Sequence, residues 1–282
     1  MNTILVKKYS GDLVPFEIEK LENSLFKSGA SPDLINKIVK EVIGCLFEGI
    51  STKEIYKRAY SILRKSSNAL AGRYKLKKAI LELGPSGYPF EAFIAHLFEY
   101  QGYKVESGIT LNGKCVTHEV DVRAENDTEI HFMECKYHSN PGYKSDVKIA
   151  LYVHSRVNDL IANYQPKFPD KKFTGWIVDN TNFTSDAIRY AECNGLKIMA
   201  WNYPSKGCLK DRIEISGLYP ISCLVSLTKA EKQVLLKKDI VLCKQLLDSQ
   251  EALNFIDKRK HKKVQQECRE LTLPMVSQAS PN

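Results

Sequence analysis

Two neighbouring stretches decide the fold: His118-Glu-Val-Asp-Val-Arg123 and, after a short turn, Ile130-His-Phe-Met-Glu-Cys-Lys-Tyr137. Each mixes apolar and polar residues over a short length, which is typical of a β-strand. Side chains two residues apart in a strand share a face, so Glu134 and Lys136 are expected to point the same way. If the two strands are antiparallel neighbours, Asp121 lies close enough to Glu134 to share a cation.

These residues fit the chemistry of phosphodiester cleavage. A hard divalent cation such as Mg²⁺ or Mn²⁺ prefers carboxylate and carbonyl oxygens, and the candidate metal-binding residues are Asp121, Glu134 and Cys135. Lys136 supplies a proton donor and a positive charge for the charge that develops on the phosphate. A Glu-x-Lys tripeptide on a solvent-facing strand is also a common cross-strand ion pair. The residues alone leave both interpretations open.

The surrounding pattern predicts an α/β domain with a central mixed sheet, because strand-like runs alternate with helical periodicity. We expect helices over residues 90–100, 146–163 and 184–194, and strands over residues 104–111, 117–124, 129–137, 173–178 and 196–201.

The spacing Asp121-x12-Glu134-Cys-Lys136 resembles the D…E-x-K core of the restriction-endonuclease-like superfamily, and most of all its Mrr-like (type IV restriction) branch. Tyr88-Pro-Phe-Glu-Ala-Phe93 is similar to the first helix of that branch, whose glutamate assists the metal site. Residues 175–184 and 186–195 resemble its later strand, turn and helix. This sequence departs from the family pattern in two places. Tyr137-His138 follows the lysine where many relatives have glutamine, and Thr117-His118-Glu119 replaces the glycine-rich segment that commonly precedes the aspartate.

The resemblance implies a restriction-endonuclease-like mixed sheet flanked by helices and Mg²⁺-dependent hydrolysis of DNA. It assigns the catalytic roles to Glu91, Asp121, Glu134 and Lys136. His118 and Glu119 either support the site indirectly or serve the fold, and we favour a structural role.

A second, mainly helical domain is expected before the cluster Gly84-Pro-Ser-Gly87, because proline and glycine mark a boundary. Ser31 before Pro32 predicts an N-cap, and Ser51-Thr-Lys-Glu54 is a capping box. We expect a hairpin over residues 2–16 and helices over residues 17–28, from 31 through 46, from 51 through 63, and over 69–83.

Five features of this domain resemble the ATP-cone, the nucleotide-sensing module of ribonucleotide reductases and their repressor. They are Val6-Lys-Lys-x-x-Gly11, Phe16, Lys20-Leu21, Gly49-Ile-Ser-Thr-Lys-Glu-Ile55 and Ala71-x-x-Tyr74. The fold implied is a small, mainly helical ATP-cone with a short hairpin.

The ATP-cone resemblance implies ATP or dATP as a regulatory ligand, with Val6, Lys7, Lys8, Lys20 and Thr52 as the nucleotide contacts. Lysine side chains bind triphosphate oxygens through charge-assisted hydrogen bonds. Since the cone controls assembly in the enzymes it resembles, we also expect a homo-oligomer whose size depends on nucleotide. The alternative is that these lysines form only a solvated basic face.

The composition of the 282 residues, 43% hydrophobic and 26% charged with a net charge of +8, is that of a soluble globular protein of about two domains. No apolar run approaches a membrane span and the first residues do not form a signal peptide, so we expect no membrane partner and a cytoplasmic location. The positive excess lies in residues 1–84 and 228–282, whereas residues 85–227 are slightly acidic.

Residues 228–282 predict a charged helical segment with the basic run Lys258-Arg-Lys-His-Lys-Lys263 and a tail that is disordered from Pro274. An interaction helix with a nucleic-acid-binding tail and a merely solvated helix end fit this pattern equally well.

The sequence therefore predicts three parts: an ATP-cone over residues 1–84, an Mrr-like nuclease over 85–227, and a charged helical segment over 228–282. The function expected is a Mg²⁺-dependent endonuclease that binds DNA and an adenine nucleotide. One alternative is a nucleotide-responsive DNA-binding regulator with an inactive nuclease fold. Another is a scaffold in which both domains are only interaction surfaces.

Overall fold

The structure of the protein is a computed structural model that describes residues 4–8 and 10–273. Contacts divide the chain into unit 1, comprising Met1–Ala79, Tyr219–Leu235 and Cys243–Asn282, and unit 2, comprising Ile80–Leu218 and Leu236–Leu242. The tail expected to be disordered from Pro274 lies outside the described residues.

The elements run in the following chain order, with 3₁₀ turns at Ile221–Cys223 and Lys258–Lys260: β1 (Leu5–Lys7), β2 (Leu13–Pro15), α1 (Ile18–Phe26), α2 (Pro32–Ile43), α3 (Thr52–Ser66), α4 (Asn68–Tyr74), α5 (Leu76–Ile80), α6 (Tyr88–Glu99), β3 (Lys104–Asn112), β4 (Thr117–Glu125), β5 (Glu129–Lys136), β6 (Lys144–Ser145), α7 (Val147–Tyr164), β7 (Lys172–Asp179), β8 (Asn182–Phe183), α8 (Ser185–Cys193), β9 (Lys197–Met199), α9 (Leu209–Ser216), α10 (Lys229–Leu236), α11 (Gln245–Asp248), α12 (Gln250–Leu253) and α13 (His261–Thr272).

A five-stranded mixed sheet in the order β3-β4-β5-β7-β9 organises unit 2. The strands β3, β4 and β5 are antiparallel neighbours, while β7 and β9 run parallel to β5. The prediction of a mixed sheet flanked by helices is confirmed. The sequence does not predict the short parallel pair β6 and β8, because two-residue strands carry no periodic signal. It also does not predict the helix α9.

Helices cover both faces of the sheet, and the central strand β5 is buried along its interior. On one face, Phe98 of α6 meets Trp176 of β7 edge to face at 5.6 Å between ring centroids. On the other face, Tyr164 of α7 meets Phe132 of β5 at 5.7 Å. A Cβ at Gly175 would lie 2.8 Å from the side chain of Val157, so the close contact of α7 with β7 requires glycine there.

The pairing of β3 with β4 is interrupted opposite the position of Asp121. The register pairs Ser107 with Val122 and Ile109 with Val120, which places Gly108 across from Asp121. Gly108 has φ of +60°, a left-handed conformation that costs other residues energy. The backbone conformation of β3 therefore favours glycine at the place where β4 carries its candidate catalytic residue.

Unit 1 begins with the predicted hairpin and helices. The strands β1 and β2 pair antiparallel, Ser31 caps α2, and Ser51 and Glu54 form the predicted capping box of α3. The helix expected over residues 69–83 is two helices, α4 and α5, interrupted at Lys75. The periodicity continues across that interruption, so the sequence could not show it.

The C-terminal segment folds against the N-terminal helices within unit 1, whereas the sequence placed residues 228–282 in a part of their own. The Arg73 guanidinium at the end of α4 donates to the backbone carbonyls of Glu270 (2.6 Å), Leu271 (3.3 Å) and Leu273 (3.2 Å). The buried Glu267 carboxylate accepts from the N–H of Val225 and, at 3.0 Å, of Ser226. None of the helices in the described part of the chain combines the length and apolarity that a membrane crossing requires.

We predict that Gly108→Ala lowers the free energy of unfolding of unit 2 by about 1–2 kcal/mol, because alanine is strained at this positive φ. Gly108→Asn should cost less, since asparagine tolerates the left-handed region. Both tryptophans, Trp176 and Trp201, belong to unit 2, so urea unfolding followed by tryptophan fluorescence reports on it. The neighbouring Ser107→Ala is the control, and equal stability of all three variants would contradict the prediction.

Candidate active site

Glu134 and Lys136 lie at the carboxyl end of β5 on the same face, as strand alternation predicts. The Glu134 carboxylate is buried, and its Oε1 atom accepts a 2.5 Å hydrogen bond from the Lys136 ammonium. The Lys136 side chain is 30% exposed. The pair thus combines a buried carboxylate with an accessible cation.

Asp121 joins this pair where the β4–β5 ladder ends. The last paired residues are Val122 and Met133. Beyond them, the Asp121 Oδ2 atom accepts a 2.6 Å hydrogen bond from the backbone N–H of Cys135. That bond fixes the Asp121 carboxylate to the strand that carries Glu134, so the two strands bring together the carboxylates that the sequence predicts as neighbours.

A third carboxylate reaches the same place from the first turn of α6, which carries Glu91. All four predicted catalytic residues line one cavity of about 320 Å³. The full lining consists of Gly87, Tyr88, Glu91, Glu119, Asp121, Glu134, Cys135, Lys136 and Arg156.

The crowding of carboxylates raises two of their pKa values. Burial, followed by the negative charges of Asp121, Glu119 and Glu134, raises the pKa of Glu91 to about 7. Burial and the charge of Glu134 raise the pKa of Asp121 to about 6, although the Cys135 N–H opposes the shift. These two groups therefore exchange protons near neutral pH.

The pKa of Lys136 moves in the direction that keeps its charge. Burial lowers it, but the hydrogen bond to Glu134 and the charges of Glu134 and Asp121 outweigh burial, and the pKa of Lys136 is raised above its ordinary value. The ammonium is thus protonated at neutral pH. It can stabilise negative charge and donate a hydrogen bond, but it is no proton acceptor.

Arg156 of α7 is the residue of the cavity that sequence reasoning missed. Its NH1 atom donates to Glu134 Oε2, and its guanidinium lies over the Tyr152 ring at 4.6 Å. The available signal was a basic side chain beside the apolar stripe of α7, where Val153 and Val157 are buried. That pattern predicts a helix facing the core, but it does not say which strand residue the arginine meets.

Cys135 lines the cavity, and its N–H holds Asp121. Burial, with the negative charges of Asp121 and Glu91 adding to it, keeps the pKa of its thiol well above the ordinary value. A protonated thiol is a poor partner for a hard cation. If Cys135 contributes to a metal site, it does so through its backbone carbonyl.

His118 and Glu119 lie in different surroundings. The His118 Nε2 atom lies 2.8 Å from Asp159 Oδ2, and Asp159 also accepts from the N–H groups of Cys115 (2.9 Å) and Val116 (3.3 Å). His118 thus ties the β3–β4 turn to α7, which is a structural role. Glu119 is exposed and lines the cavity.

His138 lies just beyond β5, next to a buried polar cluster. Its ring packs on Tyr143 with centroids 3.9 Å apart, and its Nε2 atom lies 3.3 Å from Ser145 Oγ and 3.4 Å from Asp179 Oδ2. Ser145 donates to the same Asp179 oxygen at 2.5 Å. His138 does not line the cavity of the carboxylates.

The donor set of the cavity fits a hard divalent cation. Three carboxylates that are partly or fully withdrawn from water, two of them with raised pKa values, are the oxygen ligands that Mg²⁺ or Mn²⁺ prefers. Within residues 4–8 and 10–273, no three His, Cys, Asp or Glu side chains already stand in ligating geometry. Both oxygens of Glu134 are instead paired with Lys136 and Arg156.

The five residues predicted to contact nucleotide are all in unit 1, but they differ in exposure. Val6 is buried in the unit 1 core, so only its backbone can face a ligand. Lys7, Lys8, Lys20 and Thr52 are exposed. The Lys20 ammonium pairs with Glu17 at 2.7 Å.

The hairpin of unit 1 lies beside the start of α3. The N–H of Lys7 donates to the Ile50 carbonyl at 2.9 Å, and Lys7 forms an isolated parallel β-bridge with Ser51. Lys7 and Thr52 are therefore close in the fold, although the sequence separates them widely.

A protein of Archaeoglobus fulgidus described as uncharacterized is 34% identical to this chain over 163 residues, which cover 56% of the chain and 86% of the relative. The chain belongs to the family of that protein. A family profile described as AF1548-like, C-terminal, matches residues 219–272. The crystal structure of the protein of unknown function AF1548 is similar, with a TM-score of 0.55 and 28% identity, covering 66% of this chain and 98% of that one.

The AF1548-like C-terminal profile falls entirely on unit 1 apart from Leu236–Leu242. It spans α10 through α13, the segment whose last helix binds Arg73. The segment that the sequence predicts as a charged helical end is therefore largely the segment that this family profile matches.

We predict that ionisation of Glu91 and Asp121 removes stability from the metal-free protein as pH rises from about 5 to 7. The folded-state pKa values of Glu91 and Asp121 lie above their ordinary values of 4.5 and 3.8. Between the ordinary and the folded-state pKa values, the folded state binds more protons than the unfolded state, so stability falls as pH rises. The loss is complete once pH passes the folded-state values of about 6 and 7. Thermal unfolding followed by tryptophan fluorescence measures the effect as a falling Tm, roughly 2–4 °C for each kcal/mol lost.

Glu91→Gln should flatten this pH dependence, because the amide does not ionise. Asp170→Asn, at an exposed carboxylate of unit 2 outside the cavity, is the control and should leave the slope unchanged. A Glu91→Gln protein with the slope of the parent would show that Glu91 titrates at its ordinary pKa.

Proposed function

We propose that this protein is a metal-dependent endonuclease that hydrolyses DNA phosphodiester bonds, with unit 2 as an Mrr-like nuclease of the restriction-endonuclease-like superfamily and part of unit 1 as an ATP-cone that binds ATP or dATP. The observation that carries the nuclease proposal is the meeting of Glu91, Asp121, Glu134 and Lys136, from three separate elements, in one cavity.

The roles follow from charge and protonation. Asp121 and Glu134 would hold Mg²⁺ or Mn²⁺, and the chemistry that a bound divalent cation supplies is activation of water and neutralisation of phosphate charge. Lys136, protonated at neutral pH, would orient the attacking water and stabilise charge on the phosphate oxygens. Glu91, which lines the same cavity, would accept the proton that the water gives up.

The distribution of charge supports DNA as the partner. Unit 1 contains most of the lysines and arginines at both ends of the chain, whereas unit 2 is slightly acidic. In the run Lys258–Lys263, Lys260 pairs with Glu231 and Arg259 with Asp257, while Lys258, Lys262 and Lys263 are exposed. Basic side chains bind phosphates through charge and counterion release, so we assign most of the DNA affinity to unit 1.

The regulatory part of the proposal rests on the hairpin and α3 of unit 1, where Lys7, Lys8 and Thr52 lie near one another. Lysines close to the first turn of a helix suit a triphosphate, since both supply positive potential. A homo-oligomer whose size changes with nucleotide, in the cytoplasm, completes the proposal.

One observation favours the second candidate, a nucleotide-responsive DNA-binding regulator with an inactive nuclease fold. The Glu134 carboxylate is engaged by Lys136 and Arg156 through both oxygens. If that pairing never opens, the cavity cannot use Glu134 as a metal ligand. Salt-dependent DNA binding without metal-dependent cleavage would identify this function.

We predict that Asp121→Asn and Lys136→Gln each slow Mg²⁺-dependent plasmid cleavage at least about a hundredfold, because each removes a charge from the site. Asparagine at 121 keeps an acceptor for the Cys135 N–H, so the fold should survive. Lys197→Gln on the exposed side of β9 is the matched surface control. Cleavage at the parent rate in both site variants would refute the assignment, and absence of cleavage by the parent on methylated and unmethylated DNA would favour the regulator.

We predict that Lys20→Ala weakens binding of a fluorescent ATP or dATP analogue to the full chain about tenfold, the loss typical of one charge-assisted hydrogen bond to phosphate. Lys27→Ala, exposed after the same helix, should bind as the parent does. Binding is measured by fluorescence titration and calorimetry. Equal affinities in all three proteins would place the nucleotide elsewhere.

A further inference from the structure

Arg156 is held at the cavity by two side chains. The guanidinium is 14% exposed and lies over the Tyr152 ring, with NH2 donating to the Tyr152 hydroxyl and NH1 donating to Glu134. Tyr152 is one turn earlier on α7, and Glu134 is on β5. The arginine therefore has one partner on its own helix and one in the candidate metal site.

Glu134 has no free oxygen in this arrangement. Its Oε1 atom receives Lys136 and its Oε2 atom receives Arg156. A divalent cation that uses Glu134 must displace one of these two cations. Lys136 lies two residues from Glu134 on the same strand, so the two side chains stay next to each other. Arg156 comes from a different element and has Tyr152 as a second partner, so it is the cation that can leave Glu134.

The Arg156 guanidinium also has unused donors. Its Nε atom is buried and has no hydrogen-bond partner among the described residues. An unpaired buried donor is costly, and this donor gains a partner if the side chain turns from Glu134 towards an acceptor in the cavity. The Nε–NH edge of arginine matches two oxygens of a phosphate in a bidentate contact.

We propose that Arg156 is a phosphate-binding residue that rests on Glu134 until cation and DNA arrive, so that exchange of this ion pair couples the two binding events. The inference rests on the proposed nuclease function. On binding, the Glu134 carboxylate passes from Arg156 to the divalent cation, and the guanidinium passes from Glu134 to the phosphodiester. No covalent bond changes in this exchange.

The first test measures Mn²⁺ binding to the full chain by calorimetry, independently of cleavage. Arg156→Gln should bind Mn²⁺ about fivefold more tightly than the parent, because Glu134 no longer has to release the arginine. The gain should be absent when Arg156→Gln is combined with Glu134→Gln. Arg189→Gln is the matched control, since Arg189 forms an exposed ion pair with Asp186 on α8 and should leave Mn²⁺ affinity unchanged.

The second test measures binding of a DNA duplex by fluorescence anisotropy, in EDTA and in Ca²⁺. In the parent, Ca²⁺ should strengthen DNA binding, because it frees Arg156 for the phosphate. In Arg156→Gln this strengthening should fall about tenfold, with little change in EDTA. Arg156→Lys keeps a positive charge beside Glu134 but cannot form a bidentate contact with phosphate. This variant should therefore retain the parent's Mn²⁺ affinity and lose the strengthening of DNA binding by Ca²⁺.

An Arg156→Gln protein that binds Mn²⁺ no more tightly than the parent would overturn the inference, because the arginine would then be only structural. If that variant does not fold, Arg156→Lys decides, and undiminished strengthening of DNA binding by Ca²⁺ in it would overturn the inference as well. A parent that cleaves DNA while its Arg156 variants behave like it defeats this inference alone. A parent that neither binds Mn²⁺ nor cleaves DNA defeats the proposed function and the inference together.

Discussion

The buried Glu134 carboxylate is enclosed by two cationic side chains, Lys136 from its own strand and Arg156 from α7. An unpaired charge at this depth would be strongly destabilising, because burial removes its hydration. The two ion pairs therefore allow the central strand β5 to carry a buried carboxylate near its end. They also connect β5 to α7 beside the cavity. The stability of the fold thus depends on the same two oxygens that the proposed cation would need.

Part of this site follows from the sequence alone, because strand alternation has a fixed period of two. Glu134 and Lys136 must share a face of β5, whatever the rest of the fold does. The neighbouring position of Asp121 needs a further assumption, namely antiparallel pairing of the two strands. The left-handed conformation of Gly108 opposite it has no signal in the strand pattern. The contact of Arg156 with Glu134 cannot be predicted from the sequence, because helical periodicity defines the buried face of α7 but not the strand residue that this face meets.

The same distinction explains the fold. Capping signals at Ser31 and Ser51 are local, and they predicted where α2 and α3 begin. The packing of α13 on α4 depends on contacts between residues 73 and 270–273, which no local pattern contains. No local pattern therefore indicates that the two basic ends of the chain fold into one unit. Their combined charge makes unit 1 the basic part of the molecule and leaves unit 2 slightly acidic.

The way α7 is anchored limits how the Glu134 ion pair can open. Asp159, one turn after Arg156, accepts from the N–H groups of Cys115 and Val116 and pairs with His118. The close contact of Val157 with Gly175 fixes the same turn of the helix against β7. A shift of α7 would break all of these contacts at once, whereas rotation about the side-chain bonds of Arg156 breaks only its own. Exchange of partners at Glu134 is therefore a side-chain event on a fixed scaffold, and it can occur without rearranging the sheet.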